Sequence, residues 1–268
     1  MWALDQAYAP RAERLLADTP AALLAWLAAG ATVAALLVEA SLLPSSALRV
    51  VVATAGHGAP LVTALAWARV GSTSRGIALA LLAVAATASA LGPAGAVAYL
   101  GPAIWIGVLA ARGQLAGLGL GTPVSLRALA AGACVGAGLS SHLLVSASRT
   151  LGVRAHIDHA ADTLAWIAYD VGANVLAAEC FFRGALFDRA LRRWSFVAAT
   201  TVATAAYLAR YLVDPLLPKS AELVAGAVFY LALLGVTNCW LLARSQSLVP
   251  GLLSSLLFFA AYRTLGAR

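Results

Sequence analysis

AECFFRGALFDRALRR, residues 178–193, places one carboxylate and one guanidinium, Glu179 and Arg183, a helical turn apart in an otherwise apolar run. It then closes the run with Arg189, Arg192 and Arg193. An apolar stretch that ends in clustered arginines reads as a membrane-spanning helix whose last turn lies on the cytoplasmic side. The rest of the chain agrees. Of its 268 residues, 62% are hydrophobic and only 11% charged, with a mean hydropathy of +0.87; a soluble domain is roughly 45–50% apolar and 25% charged. A spanning helix needs about 20 mostly apolar residues. Runs of that kind fall near 21–43, 47–68, 77–91, 94–111, 126–148, 162–187, 194–213, 221–243 and 247–263. The sequence therefore predicts an all-α fold, a polytopic transmembrane helix bundle of 8–9 spans. The count turns on LGPAGAVAYLGP (residues 91–102), where Pro93 and Pro102 either break one long helix or separate two short ones.

Three segments follow from this pattern: an interfacial N-terminal segment (1–20), N-terminal transmembrane helices (21–111) and a C-terminal membrane domain (112–268). Trp2, Tyr8, Arg11 and Arg14 suit a short helix at the membrane surface. Asp5, Glu13 and Asp18 interrupt the N-terminus, and the first apolar run is too long for a signal peptide, so it is expected to remain as a span. Lysine and arginine counts across the loops lean slightly toward a cytoplasmic N-terminus.

The formal charge of +7 comes from arginines placed singly in short loops, which is membrane topology and not a nucleic-acid patch. Cys134, Cys180 and Cys239 form no CxxC pair, and the four histidines are scattered, so neither a metal nor another cofactor is expected. His156 and His159, beside Asp158, read as a solvated loop. Cys180 is a poor nucleophile, since its neighbour Glu179 disfavours a thiolate. The Ala- and Arg-rich, Lys-poor composition points to a GC-rich bacterial genome, hence to a multi-pass protein of a bacterial inner (cytoplasmic) membrane.

Ionisable residues inside spans are costly and are functional candidates by default. His57 sits in AGHGAP (residues 55–60), where Gly56, Gly58 and Pro60 loosen the helix, and its ring is expected to satisfy freed backbone carbonyls. His142 follows Ser140 and Ser141 in a span that carries the Gly132/Gly136 pair, and is expected to clasp a neighbouring helix. Trp166, Asp170 and Asn174 recur every fourth residue and should share an inward-facing stripe; continued by four, the stripe reaches Ala178, not Glu179. Glu179 and Arg183 have the favoured acid-first order of an i, i+4 ion pair, so mutual neutralisation alone accounts for them.

AECFFRG resembles the first motif, Glu-Glu-x-x-x-Arg, of the CPBP family, the CAAX-protease and bacteriocin-processing type of intramembrane glutamic peptidases. The family's Phe-x-x-x-His motif falls on YLARY, Tyr207 to Tyr211. Its final-helix motif falls on SLVPGLLSSLLFF (residues 247–259). The similarity runs over roughly residues 112–265. It implies that Glu179 and Arg183 are retained site residues. The family's first Glu and its paired His activate water, and its last His and Asn stabilise the oxyanion. Those four positions hold Ala178, Tyr211, Ser255 and Phe259 here.

A site that keeps its frame and loses its chemistry suggests a pseudoprotease, whose partners would be membrane lipid, a client with a C-terminal hydrophobic tail, or an active protease, and not nucleic acid. Two alternatives compete with it. One is an active endopeptidase with Glu179 as general base; it requires a helix rotation of about 100°, the step between adjacent residues. The other is a small-molecule transporter built around Asp170, Asn174 and His57, which predicts an internal repeat that the sequence does not display.

Overall fold

The computed structural model describes residues 16, 18–152, 159–212 and 221–265. Most of the proposed interfacial segment, with Trp2, Tyr8, Arg11 and Arg14, and the loop residues His156 and Asp158 lie outside them. The described residues form helices and turns, with no strand among them. Among the described residues, nine helices correspond one to one with the nine apolar runs: α1 (Ala21–Glu39), α2 (Ser45–Trp67), α3 (Ser72–Ala90), α4 (Pro93–Ala111), α5 (Leu126–Leu151), α6 (Ala160–Leu191), α7 (Phe196–Leu212), α8 (Ala221–Ser245) and α9 (Val249–Thr264). Seven are long and apolar enough to cross a membrane; α7 and α9, of 17 and 16 residues, are shorter. The chain is a polytopic helical membrane protein. Large apolar side chains left exposed, among them Trp26, Leu36, Val84 and Ile104, suit a lipid surround.

The stretch around Pro93 and Pro102 resolves as a tight turn followed by a separate helix. Leu91 and Gly92 end α3, and Pro93–Tyr99 winds as a 3₁₀ segment before the α-helical Leu100–Ala111. Trp105 donates from Nε1 to the Ser74 carbonyl at 3.1 Å, while Gly95 packs on the Ala88 carbonyl, so α3 and α4 run antiparallel.

The chain folds as two compact units. One takes in α1 to α4 and the first part of α6, to Phe181; the other takes in α5, the end of α6 from Phe182, and α7 to α9. In the first unit, His57 meets Tyr169 and Trp67 meets Phe181, with ring centroids 5.3 Å and 5.7 Å apart, so α2 and α6 run parallel. In the second unit α5 and α9 are also parallel, and they touch backbone to backbone. A methyl group at Gly132 would overlap the Pro250 backbone, and one at Gly136 would lie 2.7 Å from the Ser254 carbonyl oxygen. Ser140 adds a hydrogen bond to the Leu257 carbonyl at 3.0 Å. The Gly132/Gly136 pair therefore acts as the small-residue seam its spacing predicts. Parallel α2 and α6 require an odd number of passes between them, and counting α3 and α4 separately gives three.

Candidate functional site

α6 carries most of the candidate residues, and its winding is irregular. It is α-helical over Ala160–Tyr169, widens to π-helical geometry over Asp170–Asn174, returns to α over Val175–Ala178, and is π-helical again over Glu179–Phe187. The Val175 amide bonds to the Asp170 carbonyl, five residues back. Each such turn holds an extra residue, so everything after it is rotated by about one residue step relative to a plain α-helix, and π segments of this kind concentrate at functional sites.

Projecting the polar stripe forward in steps of four therefore fails at Asp170. The stripe itself is also shorter than expected. Asp170 is buried and accepts a 3.0 Å hydrogen bond from Asn174 Nδ2, but Trp166 is 43% exposed. A tryptophan near a helix end gains from a wet, lipid-facing position, because its ring is amphipathic.

His57 departs from expectation as well. It is buried, and its Nε2 lies 2.7 Å from the Tyr169 hydroxyl, so its ring reaches across to α6 and is not confined to carbonyls of its own helix. Tyr169 also meets Tyr99 and Trp166 edge-on, at 5.1 Å and 6.4 Å. Gly172, within the π turn, packs directly on the Tyr99 carbonyl. The structure thus brings His57, Asp170 and Asn174 to one level of the first unit, through Tyr169. Glu179 lies at another level. The α2 residue level with Phe181 is Trp67, ten residues past His57, or about 15 Å along the axis. His57 is therefore not the partner of a Glu179 base.

Ala178, Glu179 and Arg183 are all buried, with exposures of 3%, 1% and 0%. In the second unit the Arg183 guanidinium sits over the Tyr207 ring at 4.1 Å, and Phe182 packs against the same ring at 5.4 Å. Tyr207 opens the YLARY stretch, and Tyr211, one turn on, is half-buried. Ser255 is fully buried on α9 and accepts a 2.8 Å hydrogen bond from Asn238 Nδ2 of α8, which also donates to the Gly251 carbonyl at 3.2 Å. Phe259 is buried against Phe258 and Tyr262.

His142 Nδ1 lies 2.7 Å from the Tyr230 hydroxyl, the expected clasp, which joins α5 to α8. Sequence reasoning overlooked Asn238. Its signal was plain: an amide within the apolar run of α8, a group that seeks a partner in a bundle. No group of three or more histidine, cysteine or acidic residues that could hold a metal occurs among the described residues.

Against this geometry, a comparison with protein families finds one description, Type II CAAX prenyl endopeptidase Rce1-like, matching residues 160–261, which run from the start of α6 into α9. That segment, 102 of the 268 residues, is similar to the membrane-embedded peptidases of the CPBP family. No curated protein and no solved structure matches the chain.

Proposed function

We propose that this CPBP-family membrane protein is a pseudoprotease of a bacterial cytoplasmic membrane, one that holds C-terminal or transmembrane peptide segments, by itself or beside an active protease. The observation that carries the reading is the hydrogen bond from Asn238 to Ser255. Where the family resemblance calls for a histidine that stabilises negative charge, this chain has a short hydroxyl already engaged in tying two helices together. Phe259, where the resemblance calls for Asn, is packed among aromatic rings and has no donor to offer.

Water attack on an amide needs a base within hydrogen-bond reach and donors aimed at the developing oxyanion, each contributing orders of magnitude in rate. Replacing Glu with Ala178 and His with Tyr211 removes the first; Ser255 and Phe259 remove the second. An apolar surround remains for binding. The test is capture without cutting. Full-length protein in lipid nanodiscs, incubated with peptides that end in an apolar tail, should retain them, and mass spectrometry should recover them intact. Recovery of shortened peptides contradicts the proposal.

One observation favours a second reading, an active endopeptidase with Glu179 as base. The rotation of about 100° that would bring Glu179 toward the Ala178 position is the amount a single π turn introduces, and such a turn precedes it at Asp170–Asn174. This reading still lacks a histidine partner, since His57 lies about two and a half turns away along the helix axis. Cleavage that disappears in Glu179→Gln while the fold is kept would establish it.

A further inference from the structure

α3 opens with a charge that no described residue answers. Its start, STSRG (residues 72–76), brings Arg75 to the close of the first turn, and no acidic residue shares that turn. The N-cap, Gly71, offers no side chain to the turn's free amides. A helix N-terminus is the positive end of the macrodipole, so it favours an acid and opposes an arginine. Arg75 is only part-exposed, and its Nε is buried without a hydrogen-bond partner. A guanidinium desolvated at the positive end of a helix calls for an anion.

A second cation lies at the same end of the first unit. Trp105 of α4 donates from Nε1 to the Ser74 carbonyl at 3.1 Å, which sets residue 105 level with the start of α3. Because the two helices are antiparallel, α4 continues outward past that level to Arg112, which follows its last turn and is exposed. Ser72, Thr73 and Gly76 are exposed beside Arg75, so the corner is open to its surroundings.

The depth of this corner decides which anion reaches it. α3 has 19 residues, about 28 Å of helix, close to the thickness of a bilayer's hydrocarbon core, about 30 Å. Its first turn therefore falls at the lipid headgroups, the level at which a tryptophan such as Trp105 is favoured. We propose that the start of α3, centred on Arg75 with Arg112 beside it, binds the phosphate of an anionic phospholipid headgroup. The unpaired amides of the first turn and the guanidinium fork are the donors that hold phosphate elsewhere. A zwitterionic lipid brings the same phosphate with a cation of its own, which two arginines disfavour. This site is separate from peptide holding and does not depend on it.

The test uses full-length protein, stripped of lipid in detergent and titrated with phosphatidylglycerol or phosphatidylcholine, with bound lipid read by native mass spectrometry. The parent should retain the anionic lipid about tenfold better or more, the factor that one hydrogen bond to a charged group gives. Arg75→Gln should lose most of that preference. Arg149→Gln makes the same charge change in the exposed last turn of α5 and should leave it intact. Gly71→Asp probes the corner with the arginine kept. A Cβ there meets nothing within 4 Å, and a carboxylate at that N-cap, four residues before Arg75, supplies the missing anion from the protein itself. This variant should fold at least as well as the parent and lose the preference; should Arg75→Gln fail to fold, Gly71→Asp alone decides. Equal retention of the two lipids by the parent overturns the site. An undiminished preference in Gly71→Asp overturns the role of the α3 start, and a preference that inorganic phosphate abolishes overturns the assignment to lipid.

Discussion

Arg183 stacks its guanidinium on the Tyr207 ring at 4.1 Å, deep in the second unit, where neither side chain is more than 3% exposed. A desolvated cation–π contact is worth about 2 kcal/mol or more. Tyr207→Phe should therefore leave the melting temperature in detergent close to that of the parent, whereas Tyr207→Leu should lose about 2 kcal/mol. Equal melting of the two variants would show that the ring face is not what holds the arginine.

The α5–α9 seam predicts a sharp contrast between neighbouring glycines. Gly132→Ala drives a methyl group into the Pro250 backbone, and Gly136→Ala meets the Ser254 carbonyl, while Gly138→Ala meets nothing within 4 Å. Overpacking of this kind costs about 1–3 kcal/mol. Thermal unfolding should rank Gly138→Ala as neutral and the other two as clearly destabilised.

Asn238 holds α8 to α9 through two acceptors, the Ser255 hydroxyl and the Gly251 carbonyl. Ser255→Ala removes one of them and leaves the other, so it should cost about 0.5–1 kcal/mol. Asn238→Leu removes both bonds and should cost about 1–2 kcal/mol. Urea or thermal titration of both single variants and the double variant gives the coupling, which should be non-zero.

How much of this was legible beforehand divides along physical lines. The helices were, because every apolar run long enough to span had to become one. So was a close helix approach to α5 at Gly132 and Gly136, although the spacing does not say that the partner is α9. The partner of His57 was not, because nothing local to AGHGAP specifies Tyr169, more than a hundred residues away. The path of the α6 stripe was misread because a projection in steps of four assumes an unbroken α-helix, and the π turns at Asp170 and Glu179 have no mark in composition or spacing. Nothing in the spacing of Thr200 and Thr204 shows that both hydroxyls are buried without a hydrogen bond.

Gly172 offers a test of the irregular turn itself. Its Cα faces the Tyr99 carbonyl so closely that a methyl group would overlap it. Gly172→Ala should therefore separate α6 from the 3₁₀ segment and disturb the His57–Tyr169 contact. Reduced expression and a melting temperature well below that of the parent are expected; parent-like behaviour would mean that α6 does not pack there.

The most direct measurement is the rate at which purified full-length protein, in liposomes, cleaves peptides with apolar C-terminal tails. It is taken beside the rates of Glu179→Gln and of a variant with Ala178→Glu, Tyr211→His, Ser255→His and Phe259→Asn combined. Groups that act as a unit return little singly, so only the combined variant is informative. The pseudoprotease account predicts no cleavage above background by the unmodified chain or by Glu179→Gln, and measurable cleavage by the combined variant. Robust cleavage by the unmodified chain that vanishes in a folded Glu179→Gln would contradict it.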